Sequence, residues 1–170
     1  METVDTVSIF TKENITFVLA LIGSVGTNTT WLFSYISNKR NISIRPIAYN
    51  SKNNIILFYL FFENRSRLPI SITALSILLD GTCYPCRYQP EKVISHQRTV
   101  GGKVVNSQDY YNINFPVQLS SLGSSSGYVL FVIPPEVLIP DSKTVTFQVS
   151  SNRGNAFEMK LSLDQTQEIL

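Results

Sequence analysis

The sequence predicts a mainly β protein: an antiparallel immunoglobulin-like β-sandwich preceded by one N-terminal transmembrane helix. Three observations predict it. No residue between Glu13 and Lys39 is charged. Beyond residue 40, short apolar runs alternate with a period of two between turn-forming clusters, the mark of strands. Only 15% of the 170 residues are charged, well below the usual quarter, as in chains that carry a membrane segment. The expected divisions are an N-terminal tail (1–14), the transmembrane helix (15–37), the β-sandwich (38–163) and a loose C-terminal tail (164–170).

The apolar core runs from Ile15 to Ser37, and about 20 apolar residues suffice for a helix to cross a bilayer. Trp31 and Tyr35 stand near its end, where aromatic residues favour the interface. Its weak point is the polar patch Gly26-Thr27-Asn28-Thr29-Thr30. The small and polar residues Thr16, Ala20, Gly23, Ser24, Thr27, Thr30, Ser34 and Ser37 recur every three or four positions, hence on one helical face. Such a stripe lets a second helix approach closely, which points to a protein partner or a homo-oligomer. A lone anchor is the plainer alternative. Two further readings compete: a cleavable signal peptide ending after Gly26, against which the acidic start at Glu2 and Asp5 speaks, and a buried helix of a soluble protein. Lys39, Arg40, Arg45 and Lys52 follow the helix, so the positive-inside rule leans the sandwich toward the cytoplasm.

The strands follow in order. Asn41–Tyr49 alternates, with Pro46 marking an edge or a bulge. Asn54–Leu79 is expected to form the central hairpin. Ile55–Glu63 is apolar on both alternating sets and reads as covered on both sides. After a turn at Glu63–Arg67, Ile70, Ile72, Ala74 and Leu78 fall on one face, and Thr73, Leu75, Ile77 and Leu79 on the other. Thr82–Ser95 holds two prolines and reads as irregular. His96–Asn106 has a Gly101-Gly102 turn between short strands. In Asn112–Leu119, Ile113, Phe115, Val117 and Leu119 point inward. Ser120–Gly127 reads as a flexible turn, and Tyr128–Ile133 as a second central strand. Val137-Leu138-Ile139 precedes a break at Pro140-Asp141. Lys143–Ser150 and Ala156–Leu163 flank a hairpin turn at Asn152-Arg153-Gly154-Asn155. Seven to nine strands of this spacing suit a sandwich. A jelly roll or open barrel comes second.

A membrane helix, then a strand running into Phe62-Glu63-Asn64-Arg65-Ser66-Arg67-Leu68-Pro69-Ile70-Ser71-Ile72, resembles small membrane-anchored proteins of Gram-positive bacteria and their mobile elements. The late pair Thr144–Leu163 fits the same type. The resemblance implies a β-sandwich with no assigned activity and carries over no functional residue.

Chemistry has few footholds. Cys83-Tyr84-Pro85-Cys86 is the one motif with reactive potential, but no βαβ context surrounds it and the prolines disfavour a following helix. His96 is the single histidine, so neither a zinc set nor a triad assembles around it. Paired carboxylates and phosphate-binding loops are lacking, and no cofactor is expected. A net charge of +2 does not suggest nucleic-acid binding. Asn-x-Ser/Thr triplets occur at Asn14, Asn28, Asn41 and Asn64. The expected function is a non-catalytic, membrane-anchored β-sandwich binding or accessory module. Its contact loops are placed at Arg65–Leu68, Tyr84–Arg87 and Ser121–Gly127, with Arg65, Arg67, Tyr84 and Arg87 as candidate contact residues. The alternative is a thiol redox sensor or enzyme using Cys83 and Cys86.

Overall fold

The computed structural model describes residues 12–52, 54–135, 137, 144–164 and 166–169. The residues read as an acidic start, Leu138-Ile139 and the break at Pro140-Asp141 lie outside the described residues. The chain divides into two units that part between Lys39 and Arg40.

The first unit is a helix, α1 (Lys12–Asn38). From Asn14 to Asn38 it is long and apolar enough to cross a membrane, with a mean hydropathy of 1.4. Phe17, Leu21, Ile22, Val25, Leu32, Phe33 and Ile36 are all exposed. The polar patch costs less than its composition suggests. The hydroxyls of Thr27 and Thr30 donate to the carbonyls of Gly23 and Gly26, both at 2.8 Å, and Thr29 donates to Val25 at 2.9 Å. Each hydroxyl is thus satisfied within its own helix, as a hydroxyl in hydrocarbon must be.

The second unit is built of strands. In chain order they are β1 (Ile42–Lys52), β2 (Ile55–Asn64), β3 (Ile70–Leu79), β4 (Thr82–Pro85), β5 (Lys92–Val100), β6 (Lys103–Tyr111), β7 (Val117–Leu119), β8 (Ser124–Val132), β9 (Thr144–Ser151), β10 (Phe157–Ser162) and β11 (Gln167–Glu168). One sheet has the order β11-β1-β2-β8 and a second the order β10-β9-β3-β4, with β7 also on β3. All pairs but β1–β11 are antiparallel. Ile56, Phe58, Leu60 and Phe62 of β2 meet Leu75 and Ile77 of β3 and Phe147 and Val149 of β9 in one buried core. Phe58, Phe131 and Phe147 interlock there at centroid distances of 5.2–6.1 Å.

The expected central hairpin is not one. The strands β2 and β3 do not pair; they lie in opposite sheets, and residues 65–69 carry the chain across. The reason is a corner built around two buried polar side chains, Asn64 and Ser66. The Asn64 amide donates to the carbonyls of Leu68 (2.9 Å) and Ser120 (2.8 Å), and its oxygen accepts from the Ser66 N–H and hydroxyl. Nor is β2 covered on both sides. Its inner set is fully buried; of the outer set, Leu57 is buried, Tyr59 and Phe61 are half-buried and Ile55 is exposed. The outer set is shielded by cross-strand neighbours instead: Tyr59 by Tyr128 and Phe61 by Arg45.

A bulge changes the faces of β3. Its pairing with β9 shifts between Ile72 and Ala74, so Ile70 and Ile72 share the buried face with Leu75, Ile77 and Leu79. Strict alternation had put the two groups on opposite sides; one extra residue at Thr73 reconciles them. Of the edge or bulge expected at Pro46, it is a bulge that is present, between Pro46 and Ala48.

Further expectations change in the second half. Ser124–Gly127 is strand, pairing with Glu63–Leu60, so the turn shrinks to the residues before it. Gly127 is there because a Cβ would meet the Ile113 side chain at 3.0 Å. The strand β8 ends its sheet rather than lying inside it, and its outer edge is occupied by the N–H groups of Arg87 and Ile113 on Leu130 and Tyr128. Only Val117–Leu119 of the run 112–119 is strand, although Phe115, Val117 and Leu119 are buried as expected. Thr82–Ser95 is less irregular than its prolines suggest, since it contains β4 and the start of β5. The tail is not loose at Gln167–Glu168, which pairs in parallel with Ala48–Tyr49. The turn 152–155 joins β9 and β10 as expected.

Candidate functional site

The surface features that sequence reasoning singled out are held by two buried asparagines, Asn64 at the start of β8 and Asn112 beside its middle, at Tyr128. Asn64 pins the corner that carries Arg65, Arg67 and Leu68. With the backbone tied down by Arg65 N–H to Asn41 O (2.8 Å) and Leu122 N–H to Ser66 O (3.1 Å), these three side chains are presented outward on a fixed frame. Arg65 folds onto Glu63 in an ion pair of 2.8 Å, and this hydrogen-bonded guanidinium lowers the Glu63 pKa. An open groove of about 530 Å³ borders the corner, lined by Ile70, Gln118, Leu119, Ser120 and Asn152 among others.

Asn112 does the same for the segment after β4. Its amide donates to the carbonyls of Arg87 (2.9 Å) and Gln89 (3.0 Å), while its oxygen accepts from the Glu91 N–H. Arg87 is exposed and 3.8 Å from Glu91. A second open groove of about 500 Å³ runs beside Cys86, Tyr88, Gln89 and Val132. Tyr88 stacks edge-on against Phe115 at 5.9 Å, and partial burial pushes its hydroxyl pKa up. The guanidiniums of Arg65 and Arg87 do not converge. Glu63 pairs with Ser124, whereas Arg87 donates to Leu130, six residues along β8, or about 20 Å at the strand rise. Tyr84 lies on β4 opposite Ile77 and packs against the core.

The two cysteines part company. Cys83 is exposed, Cys86 is buried, and both are free thiols. Burial pushes the Cys86 thiol up to about 12, far from the reactive thiolate range. His96 stands in an exposed strand, edge-on to Tyr110 at 5.8 Å. Among the described residues, no group of three or more His, Cys, Asp or Glu side chains could hold a metal ion. Of the Asn-x-Ser/Thr triplets, Asn14 and Asn28 lie in α1, and Asn64 is buried and therefore closed to glycosylation.

An aromatic row on the outer face of the β2–β8 sheet escaped the sequence reading. Tyr59 and Tyr128 are directly opposed across the strand pair, with centroids 4.8 Å apart, and Tyr110 adds an edge contact to Tyr128 at 6.0 Å. The Tyr59 hydroxyl lies 3.1 Å from Ser126 Oγ. Burial raises the Tyr128 pKa. Tyr59 on the outer set of β2 was visible, but its partner depends on a register that the sequence does not reveal.

No protein-family model matches the chain. No curated protein matches it either. Among solved structures it is similar to the GH20 exo-β-N-acetylglucosaminidase of Vibrio harveyi, with 11% identity and a TM-score of 0.32, over 74% of this chain and 18% of the enzyme. It is also similar to the Iho670 flagellar-like filament, with 10% identity and a TM-score of 0.31, over 89% of this chain and 98% of that one. The chain thus spans less than a fifth of the glycosidase.

Proposed function

We propose that the chain is a single-pass, membrane-anchored binding or accessory module without catalytic activity, its sandwich of immunoglobulin-like type. One observation carries this reading: a membrane-length apolar helix with none of its apolar span buried forms one unit, and a strand unit with a core of its own forms the other. The immunoglobulin-like assignment is supported by the two mostly antiparallel sheets, β11-β1-β2-β8 and β10-β9-β3-β4, which share one core. Binding is assigned to the two asparagine-pinned loops, because fixed loops on a rigid scaffold lose little entropy on contact. The partner is a protein, and the small-residue face of the helix, Thr16 to Ser37, serves a second helix or a second copy. The anchor raises the local concentration of the module beside a membrane partner.

The sandwich is assigned to the cytoplasmic side on the flanking cations Lys39 and Arg40. An impermeant thiol reagent applied to intact cells tests the side, with exposed Cys83 as probe and buried Cys86 as internal control. Labelling of Cys83 only after lysis is expected; labelling in intact cells overturns the assignment. Binding is tested by photocrosslinking from Arg67 and Arg87, one exposed residue in each loop, in the full chain. A discrete protein adduct that disappears when α1 is deleted is expected, and no adduct from either position in a well-expressed chain overturns the reading.

A further inference from the structure

The strands β5 and β6 form a sheet of their own, paired only with each other. Every residue from Ser95 to Asp109 is exposed, so this ribbon has no core behind it. Its tip is nevertheless apolar: Val100, Val104 and Val105 are 58%, 56% and 64% exposed. Gly101 and Gly102, at φ +61° and +80°, close the turn in a conformation other residues adopt with strain. Register assigns the valines to both faces. Val100 pairs with Lys103 and stands on one side; Thr99 pairs with Val104 on the other; a bulge follows at Val105. The charge at this end has one sign. Arg98 and Lys103 are cations, and no acidic residue occurs between Lys92 and Asp109. Asp109 sits at the root, where it accepts from Ser95 at 2.6 Å and lies 3.5 Å from Lys92.

We infer that the tip of this ribbon inserts end-on into the interface of an anionic lipid bilayer. A protein groove that gripped one face would bury Val100 or Val104 and leave the other in water. A medium that surrounds the tip buries all three valines together. The span from the turn to Val105 is about 10 Å at the strand rise, which matches the shallow depth at which interfacial segments rest. Arg98 and Lys103 carry long stems that let the valines descend while their charges stay at the lipid phosphates. Each basic residue near such a surface strengthens binding about fivefold. The inference does not require α1 to span the bilayer.

The test uses the full chain with Cys83→Ser and Thr99→Cys, labelled at Thr99→Cys with an environment-sensitive fluorophore. It is reconstituted into phosphatidylcholine vesicles with and without phosphatidylserine, and protein-free vesicles of the same lipid are added so that the tip can reach either surface. Quenching by a lipid-borne nitroxide in the phosphatidylserine vesicles is expected. Arg98→Gln with Lys103→Gln should lower the inserted-to-free ratio roughly 25-fold. Val100→Ser with Val104→Ser and Val105→Ser should lower it about tenfold or more. A label that stays open to an aqueous quencher on both lipids overturns the inference. So does shielding that grows with protein concentration in detergent, which would assign the tip to a second copy. Alkaline extraction of the same vesicles reports separately whether α1 is embedded.

Discussion

The core of the sandwich and the β5–β6 ribbon are made by the same chain with the same backbone pairing, yet they are stabilised differently. In β2, every second side chain from Ile56 to Phe62 is fully buried against the opposite sheet. In β6, none from Lys103 to Asp109 is. Both strands satisfy their inner backbone groups in an antiparallel ladder. The ladder alone leaves the ribbon's outer edges and both its faces in water. A two-stranded hairpin of that kind is marginal by itself; this one is tethered at its root by Asn112 and the Tyr110–Tyr128 contact, and the Lys92–Asp109 pair ties its own two strands together. Hydrogen bonds define the shape in both regions, while burial sets how much free energy stands behind it.

The largest effect that would sharpen this contrast is expected from Phe58→Ala. Phe58 touches Tyr49, Phe131 and Phe147 at the centre of the core. Its loss removes a large buried ring from a site bounded by three others, at about 3–5 kcal/mol. A far-UV circular-dichroism melt of the full chain in detergent measures it. Val104→Ser in the ribbon should shift the same melt by less than about 0.5 kcal/mol. Equal shifts would mean that the ribbon packs against something in solution. Next comes Asn64→Ala, expected to cost about 1–3 kcal/mol, because the Ser66 N–H and the Ser120 carbonyl lose their side-chain partner inside the corner, and the Ser66 hydroxyl and Leu68 carbonyl keep only each other. Urea denaturation with an unchanged slope and a lower midpoint would record it. A variant as stable as the parent would show that water replaces the amide.

How much of this was legible follows the same division. Periodicity identified the runs that make the core, because Ile56, Phe58, Leu60 and Phe62 repeat at the strand period whatever they pair with. It also located the helix, the Pro46 bulge and the turn at 152–155. It misassigned the step from β2 to β3, since a short polar linker between two apolar runs suits a hairpin and a sheet-to-sheet crossing equally well. The decision rests on Asn64 and Ser66 turning inward, which composition does not disclose. One inserted residue at Thr73 defeats parity for the whole second half of β3. Ser124–Gly127 looked like slack because serine and glycine are poor strand formers, but β2 supplies a complete edge for their backbone, and pairing overrides propensity there. For the candidate site, the exposed positions of Arg65, Arg67 and Arg87 were anticipated. Their separation along β8, the two asparagine pins and the tyrosine row were not, because each depends on long-range register.

Smaller effects probe the ribbon and the one thiol inside the core. Gly102→Ala places a side chain at φ +80° and should cost about 1 kcal/mol. That cost should appear as faster amide exchange confined to β5 and β6, without faster exchange in β2 or β9; exchange that quickens everywhere would join the ribbon to the core as one cooperative unit. Cys86 gives the subtlest contrast, against exposed Cys83. Its thiol is pushed from 9.0 up to about 12 by burial in the native chain. Above pH 9 the unfolded chain releases this proton while the native chain keeps it, so the unfolded state binds fewer protons and stability falls with rising pH. The contribution is intact below pH 9 and lost between 9 and about 12. Tyrosines and lysines titrate in the same window, so the measurement is a difference: the pH slope of the parent minus that of Cys86→Val. A negative difference confined to that window is expected. A difference of zero would mean that Cys86 reaches solvent in the native state, and the core would then be open along the edge where residue 86 bridges to Phe131.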